Sequence, residues 1–294
     1  MTRYRWQFHT MQPDALDRLR DILRGYGSCV VAYSGGVDST FLAVVAHQVL
    51  GDRALAVIAD TPSLPRRELT EALDLAHRLG FPTRVIRTSE FALKVYTANS
   101  RDRCYHCKHE LFAVLSAVAR DGAYAFILHG ENASDSGDHR PGLRAAAEVG
   151  ARAPLKEAGL SKADIRALSA QLGLPTAEKP EMACLSSRVP YGEPLTMSKL
   201  AMIERAEYVL RDLGFRDVRV RHHELPRSTG MADRCLARIE LGGDELPRLF
   251  GDGRWTQVAA ALRQIGYQHV TLDLQGYRRG SANEVLPKDS PAMG

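Results

Sequence analysis

The sequence predicts an α/β protein, a parallel sheet covered by helices on both faces and followed by a small α+β domain. Three observations predict it. Short apolar runs alternate with helical patterns through residue 130, as parallel strands joined by crossover helices do. The first apolar run ends in a glycine-rich turn that opens a helix. Beyond residue 190 the alternation gives way to a helix, two successive strands, a second helix and a last strand.

Taken in order, "SCVVAYSGG" is a valine-rich buried strand ending in a turn, and "DSTFLAVVAHQVLG" a helix closed by glycine. "RALAVIAD" and "PRRELTEALDLAHRLG" repeat the pair; "TRVIRT", "KHELFAVLSAVARDG" and "YAFILHG" carry it to a fourth strand. "ASDSGDHRPG" is a polar loop, and "LSKADIRALSAQLGLP" a helix with Ser161 as N-cap and Gly-Leu-Pro as its stop. "MSKLAMIERAEYVLRDLGF" is a helix, "RDVRVRHHE" and "RCLARIELG" are alternating, half-exposed strands, "WTQVAAALRQIGY" is a helix and "QHVTLDLQG" the last strand. The expected division is 1–190, 191–280 and a loose tail, 281–294.

With 294 residues, 45% hydrophobic and 25% charged, the chain has the makeup of a soluble globular protein. A net charge of +4 suits an anionic substrate and is too weak to argue for nucleic acid. No signal-peptide run and no membrane-length apolar stretch is present, so the expected location is the reducing cytoplasm. There the five cysteines, at 29, 104, 107, 184 and 235, do not read as a disulfide framework.

"YSGGVDST", residues 33–40, turns the first strand into the first helix. Gly35 and Gly36 allow close backbone approach. The N–H groups from Val37 onward, at a helix start, favour an anion. Ser34 and Ser39 add hydroxyls. Asp38 repels phosphates unless a cation lies between, which calls for Mg²⁺. The stretch lacks the G-K-[ST] of a Walker loop; it resembles the PP-loop of the ATP pyrophosphatases. That resemblance implies ATP bound by its pyrophosphate end, attack of a substrate on the α-phosphorus, and an adenylated intermediate. Asp60 and Ser63, at the end of the second strand, are placed to meet adenosine. Asp135 and Asp138 are either Mg²⁺- or nucleophile-handling groups or parts of a solvated loop.

"RDRCYHCKHE" carries Cys104 and Cys107, and "KPEMACLSSRVPYG" carries Cys184 close to Arg188 and a possible helix start, a setting that favours a thiolate. Cys29 and Cys235 lie in apolar strands and read as core. Zinc would need His106 or His109 as a fourth ligand, and a redox pair lacks its thioredoxin-like context. Three cysteines on a [4Fe–4S] cluster leave one iron open to bind a sulfide and present it to the adenylate, which gives the cysteines and the ATP loop one purpose. The runs "DTPSLPRREL", "RPGLRAA", "PLKEAGLSKADIRALSAQLGLP", "KPEMACLSSRVPYG", "VRVRHHE", "ARIEL" and "LQGYRRGSANE" together resemble the LarE family of sulfur transferases. The resemblance implies pyridinium-3,5-biscarboxylate mononucleotide as substrate, its carboxylates converted to thiocarboxylates for a nickel-pincer nucleotide, and a C-terminal module like that of GMP synthetase. Members with only the cysteine matching Cys184 give up its sulfur and keep dehydroalanine; members with all three are associated with a cluster fed by sulfide or another donor, and "RCYHCK" places this chain among them.

Arg219 and Arg221 fall two apart on one strand face and suit a phosphate, or else form an exposed basic face. The resemblance implies the substrate phosphate there, at a site shared between subunits of a trimer-based homo-oligomer, with Arg188 as a second anion contact. Two other readings stay open: a PP-loop tRNA thiolase, and a non-catalytic ATP-binding protein with structural zinc.

Overall fold

The computed structural model describes residues 14–135, 141–180, 183–225, 234–251 and 253–278; Asp138 and the expected tail at 281–294 lie outside them. In chain order the elements are α1 (Asp14–Tyr26), β1 (Cys29–Tyr33), α2 (Val37–Leu50), β2 (Ala54–Asp60), α3 (Arg66–Leu79), β3 (Thr83–Arg87), α4 (Lys94–Thr97), α5 (Arg103–Asp121), β4 (Phe126–Leu128), α6 (Pro141–Glu148), α7 (Pro154–Glu157), α8 (Lys162–Gln171), α9 (Met197–Asp212), β5 (Val218–Glu224), β6 (Cys235–Leu241), α10 (Leu246–Gly251), α11 (Arg254–Ile265) and β7 (His269–Leu272). They form two compact units. The first takes the described residues of 1–61, 66–88 and 104–181; the second takes those of 62–65, 89–103 and 182–294.

The first unit holds a parallel sheet in the order β3-β2-β1-β4. Val30 of β1 stands beside Leu55 and Ile127, and on that face they pack with Phe112, Leu115 and Val118 of α5 and Ala145 and Ala146 of α6. Each such Leu, Val or Phe contributes about 1.5–3 kcal/mol by leaving water. α2 is buried along most of its length and touches β1, β2, α1 and α8. Ser161 caps α8 as expected: its hydroxyl accepts the Asp164 N–H at 3.2 Å, while the Asp164 carboxylate accepts the Ser161 N–H at 3.0 Å. α5 starts at Arg103, earlier than the expected Lys108, so Cys104 and Cys107 lie inside its first turn rather than ahead of it. Nothing in "RDRCYHC" breaks a helix, and the apolar periodicity used to place the start begins only beyond it.

The second unit pairs β5 with β6 antiparallel and β6 with β7 parallel. Val218, Val220, Ala237, Ile239 and Leu241 pack against Ala206 and Leu210 of α9 and Val258 and Leu262 of α11. β5 is not the half-exposed strand the alternation suggested: Val218 through His222 are all buried. Its second face carries Arg219 and Arg221, whose guanidiniums are covered by partners described below.

Gly35 has φ +72°, and a Cβ there would stand 2.7 Å from the Ala72 Cβ of α3. Gly35→Ala should therefore lose about 2–5 kcal/mol, the left-handed strain plus overpacking. Gly80, at φ +75° with nothing within 4 Å of its Cβ position, should lose only the strain, about 1–2 kcal/mol. Urea denaturation of the two alanine variants checks the difference; equal losses would refute the contact.

His222 is buried with its Nδ1 3.3 Å from the Tyr267 hydroxyl. Burial first, then Lys199, holds its pKa down to about 4. The unfolded chain takes that proton near pH 6.5 and the folded one resists it, so the stabilisation is whole above pH ~6.5 and is lost as pH falls toward ~4. His222→Phe should flatten the fall of the urea midpoint across that window. An undiminished fall would assign it elsewhere, His223 being next, since burial lowers its pKa too.

Candidate active site with a glycine loop and a cysteine loop

The glycine loop lies in the first unit, between β1 and α2. Gly36 is the N-cap of α2 and no side chain caps the helix, so donors of its first turn are left for a ligand. Val37 is buried and anchors that turn. Ser34 and Ser39 shape the loop together: their hydroxyls are 3.0 Å apart, and the Ser34 N–H donates to Ser39 Oγ at 3.1 Å.

Asp38 has a cation already. Lys162 Nζ lies 2.6 Å from its Oδ2, and Asn132 Nδ2 lies 3.5 Å from its Oδ1. Gly130 lies against Asp38. A Cβ at residue 130 would sit 3.2 Å from both Asp38 Cβ and Ser39 N, tighter than an ordinary contact, so glycine eases the close pass of the chain leaving β4. That Asp38 needs a counter-charge is legible in the sequence, which points to Mg²⁺. Lys162, the first residue of α8, is not legible in that role; its one local signal is its place behind the Ser161 cap.

Asp60 is ion-paired with Arg66, which also donates to the Thr61 carbonyl. Asp135 Oδ2 accepts the Asn132 N–H at 3.1 Å and so helps to build the turn after β4. Cys104 is exposed and Cys107 half-buried on the first turn of α5. Between them Tyr105 donates to Glu148 at 2.9 Å, beneath Arg144, and His106 and His109 lean on its ring. None of the five cysteines is in a disulfide. Among the described residues no three His, Cys, Asp or Glu side chains gather as a single metal ion requires.

The cysteine loop lies in the second unit. Cys184 is exposed and caps a short 3-10 turn, Leu185–Arg188. Ser63, expected to meet adenosine, is buried here instead. Its hydroxyl closes a triangle with Tyr96 and Ser186, with sides of 2.6, 2.7 and 2.9 Å, and its carbonyl accepts the Leu185 N–H at 2.8 Å. Arg188 is 1% exposed. It grips Glu207 through two nitrogens, at 2.8 and 3.2 Å, and donates to the carbonyls of Ala183 and Cys184 at 2.8 and 3.0 Å. Burial opposes charge on both partners, and mutual attraction outweighs it: Arg188 is held above its ordinary value and Glu207 below. Arg221 repeats the pattern, with Glu240 at 2.9 and 3.0 Å and the Ser187 carbonyl at 2.7 Å. Arg219 lies over the Tyr277 ring and donates to its own neighbour's carbonyl, Val218 O, at 2.7 Å. Burial, and then Arg188, disfavour its charge.

A parallel sheet with S-G-G-x-D-S at the turn after its first interior strand, and an uncapped helix receiving it, defines a nucleotide-binding unit of the PP-loop ATP pyrophosphatase class. Residues 14–120 match the family model described as NAD synthase. The whole chain has nearer relatives. It is 37% identical over 275 residues to the pyridinium-3,5-bisthiocarboxylic acid mononucleotide synthase of Lactiplantibacillus plantarum, covering 92% of each chain. It is 41% identical over 278 residues to an uncharacterized protein of Synechocystis, covering 95% of this chain and 100% of that one. A chain of the glutamine-hydrolyzing GMP synthase of Thermoplasma acidophilum is 30% identical over 203 residues, 63% of this chain and 64% of that one. The chain belongs to the LarE family, that of the pyridinium-3,5-bisthiocarboxylic acid mononucleotide synthase.

Arg188→Ala would leave the Glu207 carboxylate buried without its main partner, which costs about 3–5 kcal/mol. Arg188→Ala with Glu207→Leu should recover most of that loss in guanidinium denaturation. Full stability in the single variant would mean Arg188 serves a ligand rather than the loop.

Proposed function

We propose that the chain is an ATP-dependent sulfur transferase that converts the carboxylates of pyridinium-3,5-biscarboxylate mononucleotide to thiocarboxylates. One observation carries the reading: an exposed cysteine on a loop fastened by buried arginines, in a chain of this family that also has the PP-loop. A substrate carboxylate oxygen attacks the α-phosphorus of ATP and pyrophosphate leaves, giving an acyl adenylate. Sulfur then attacks the acyl carbon and AMP leaves. The glycine loop and α2 hold the phosphates. Asp38 and Lys162 divide the charge there; Asp38 would hold a Mg²⁺, which would shield the charge of the ATP phosphates. Asp60 is kept as the adenosine contact, while the contacts of Ser63 favour a role in bracing the cysteine loop.

The second unit, with its 191–280 portion, is the proposed substrate and oligomerisation module. The substrate phosphate is assigned to Arg219 and Arg221, with Arg188 behind them; the burial that disfavours charge on Arg219 is a condition a bound anion relieves. A homo-oligomer, trimer-based, is the proposed assembly. No described helix is long and apolar enough to cross a membrane; a cytoplasmic location is the proposed one.

The sulfur route is proposed to use a [4Fe–4S] cluster on Cys104, Cys107 and Cys184, loaded by sulfide or another donor. Three accessible sulfurs, two of them in one helical turn, fit such a group in kind and number. When bound it would supply an open iron site for the incoming sulfide. The exposed thiol of Cys184 favours a second reading, in which Cys184 itself attacks the adenylate and β-elimination leaves dehydroalanine.

The test is a reaction with Mg²⁺, ATP, substrate and sulfide without oxygen. AMP and pyrophosphate should appear with the thiocarboxylate, ADP and phosphate should not, and Asp38→Asn should lower turnover by about ten- to a hundredfold. Protein purified anaerobically should hold about four irons, as a [4Fe–4S] cluster has, and its mass should be unchanged after turnover. Dehydroalanine at residue 184, with activity intact in Cys104→Ser and Cys107→Ser, would replace the cluster by the sacrificial route.

A further inference from the structure

Every part of the Asp38–Lys162 pair lies in the first unit. Asp38 is the second residue of α2 and Lys162 the first of α8, and the two helices pack against each other. The backbone on the lysine side is fixed before its side chain is placed. Ser161 caps α8, the Lys162 N–H donates to Ser134 Oγ at 3.0 Å, and the Ser134 N–H donates to Asn132 Oδ1 at 2.9 Å. The Ala133 N–H donates to the Leu160 carbonyl at 2.8 Å. Asn132 is 2% exposed, and its Nδ2 lies 3.5 Å from the second Asp38 oxygen. The start of α8, the turn after β4 and the carboxylate thus form one assembly. The paired Lys162 and Asp38 side chains keep only 24% and 21% of their surface, so solvent and salt screen the contact less than they would an exposed one.

A Mg²⁺ would call on the same carboxylate. It takes carboxylate oxygens at about 2.0–2.1 Å and tolerates little departure from an octahedron. The Lys162 ammonium already holds Oδ2 at 2.6 Å, and two cations on one oxygen repel at short range. An ammonium on a flexible four-carbon stem can swing aside. We propose that Lys162 is an internal plug of the cation site: it holds the Asp38 carboxylate and must release it before Asp38 takes a metal ion, so that the ion alone is admitted only weakly. This rests on the reading of Asp38 as a Mg²⁺ ligand. Displacing one charged hydrogen bond should weaken the apparent affinity for the ion by about ten- to a hundredfold.

Two measurements on the full-length chain test it, both without nucleotide. In the first, Mn²⁺ stands in for Mg²⁺ and the free ion is followed by its electron spin resonance during titration. Lys162→Met should bind Mn²⁺ about tenfold or more tighter than wild type, and Asp38→Asn should abolish that binding in either background. In the second, wild type is acetylated briefly with acetic anhydride and each lysine is read by mass. Saturating Mg²⁺ should speed labelling of Lys162 by about tenfold, as the ammonium leaves its carboxylate. Lys199, paired with Glu224 at 2.6 Å in the second unit, is the internal reference and should change by less than about twofold. The labelling needs no variant, so it decides even where Lys162→Met fails to fold. Equal Mn²⁺ affinity in wild type and Lys162→Met, with binding lost in Asp38→Asn, overturns the plug and leaves Asp38 as the metal ligand. Tighter binding in Lys162→Met while metal leaves Lys162 labelling unchanged reduces the lysine to a nearby charge and also overturns the plug. Mn²⁺ bound as well by Asp38→Asn, or by none of the proteins, removes the Mg²⁺ reading of Asp38 and the plug with it.

Discussion

Backbone carbonyls taken out of water must find donors, and the stretch around Cys184 finds them in side chains, all but one of them from elsewhere in the sequence. Arg188 serves Ala183 and Cys184, Arg103 serves Ser186, Arg221 serves Ser187, and Asn99 serves Val189 and Pro190. A loop held by a regular ladder could slide by one register. A loop held oxygen by oxygen cannot, because each carbonyl would lose a charged or amide donor at once. Two of these arginines are neutralised by buried carboxylates, Glu207 and Glu240, so the loop gains donors without leaving two bare charges in the interior. The exposed thiol of Cys184 stands on that held loop.

The glycine loop solves the opposite problem. Its donors must stay open for a ligand, so α2 begins without a side-chain cap and the two serines bind one another. The acid in the loop is quieted by Lys162. An ammonium and a carboxylate at this distance form a local dipole rather than a bare anion, and an incoming polyphosphate meets less repulsion. The close passes at Gly35 and Gly130 fix where that dipole stands.

The sheet was legible because its strands are apolar runs set between amphipathic helices, and the Ser161 cap because it is local. The glycine loop was legible because all its parts lie within eight residues. What escaped was long-range. Lys162 is 124 positions from Asp38, and no pattern in either neighbourhood names the other. The ion pairs of Arg188 and Arg221 escaped as well, because their carboxylates, Glu207 and Glu240, lie 19 positions away across turns and strands. Ser63 read as a nucleotide contact because it follows a strand end, where such contacts occur; its hydroxyl is turned to Tyr96 and Ser186 instead. Asn99 gave no signal, since a left-handed asparagine looks like any other polar loop residue.

The two units are interleaved along the chain, which passes between them at 61, 65, 88, 103 and 181. Neither unit is therefore encoded by an unbroken stretch. A fragment starting near residue 180 would keep the cysteine loop and all three strands of the second sheet but lack Ser63, Tyr96, Asn99 and Arg103, and with them their part of the stitching around that loop. On the ribosome this order has a kinetic meaning. The braces emerge long before the loop they hold, and loop-closure entropy must be met across more than eighty residues of intervening chain before the first of those bonds can form. The cysteine loop is thus among the last parts of the protein to take its final shape, and it does so only once the polypeptide upstream is complete.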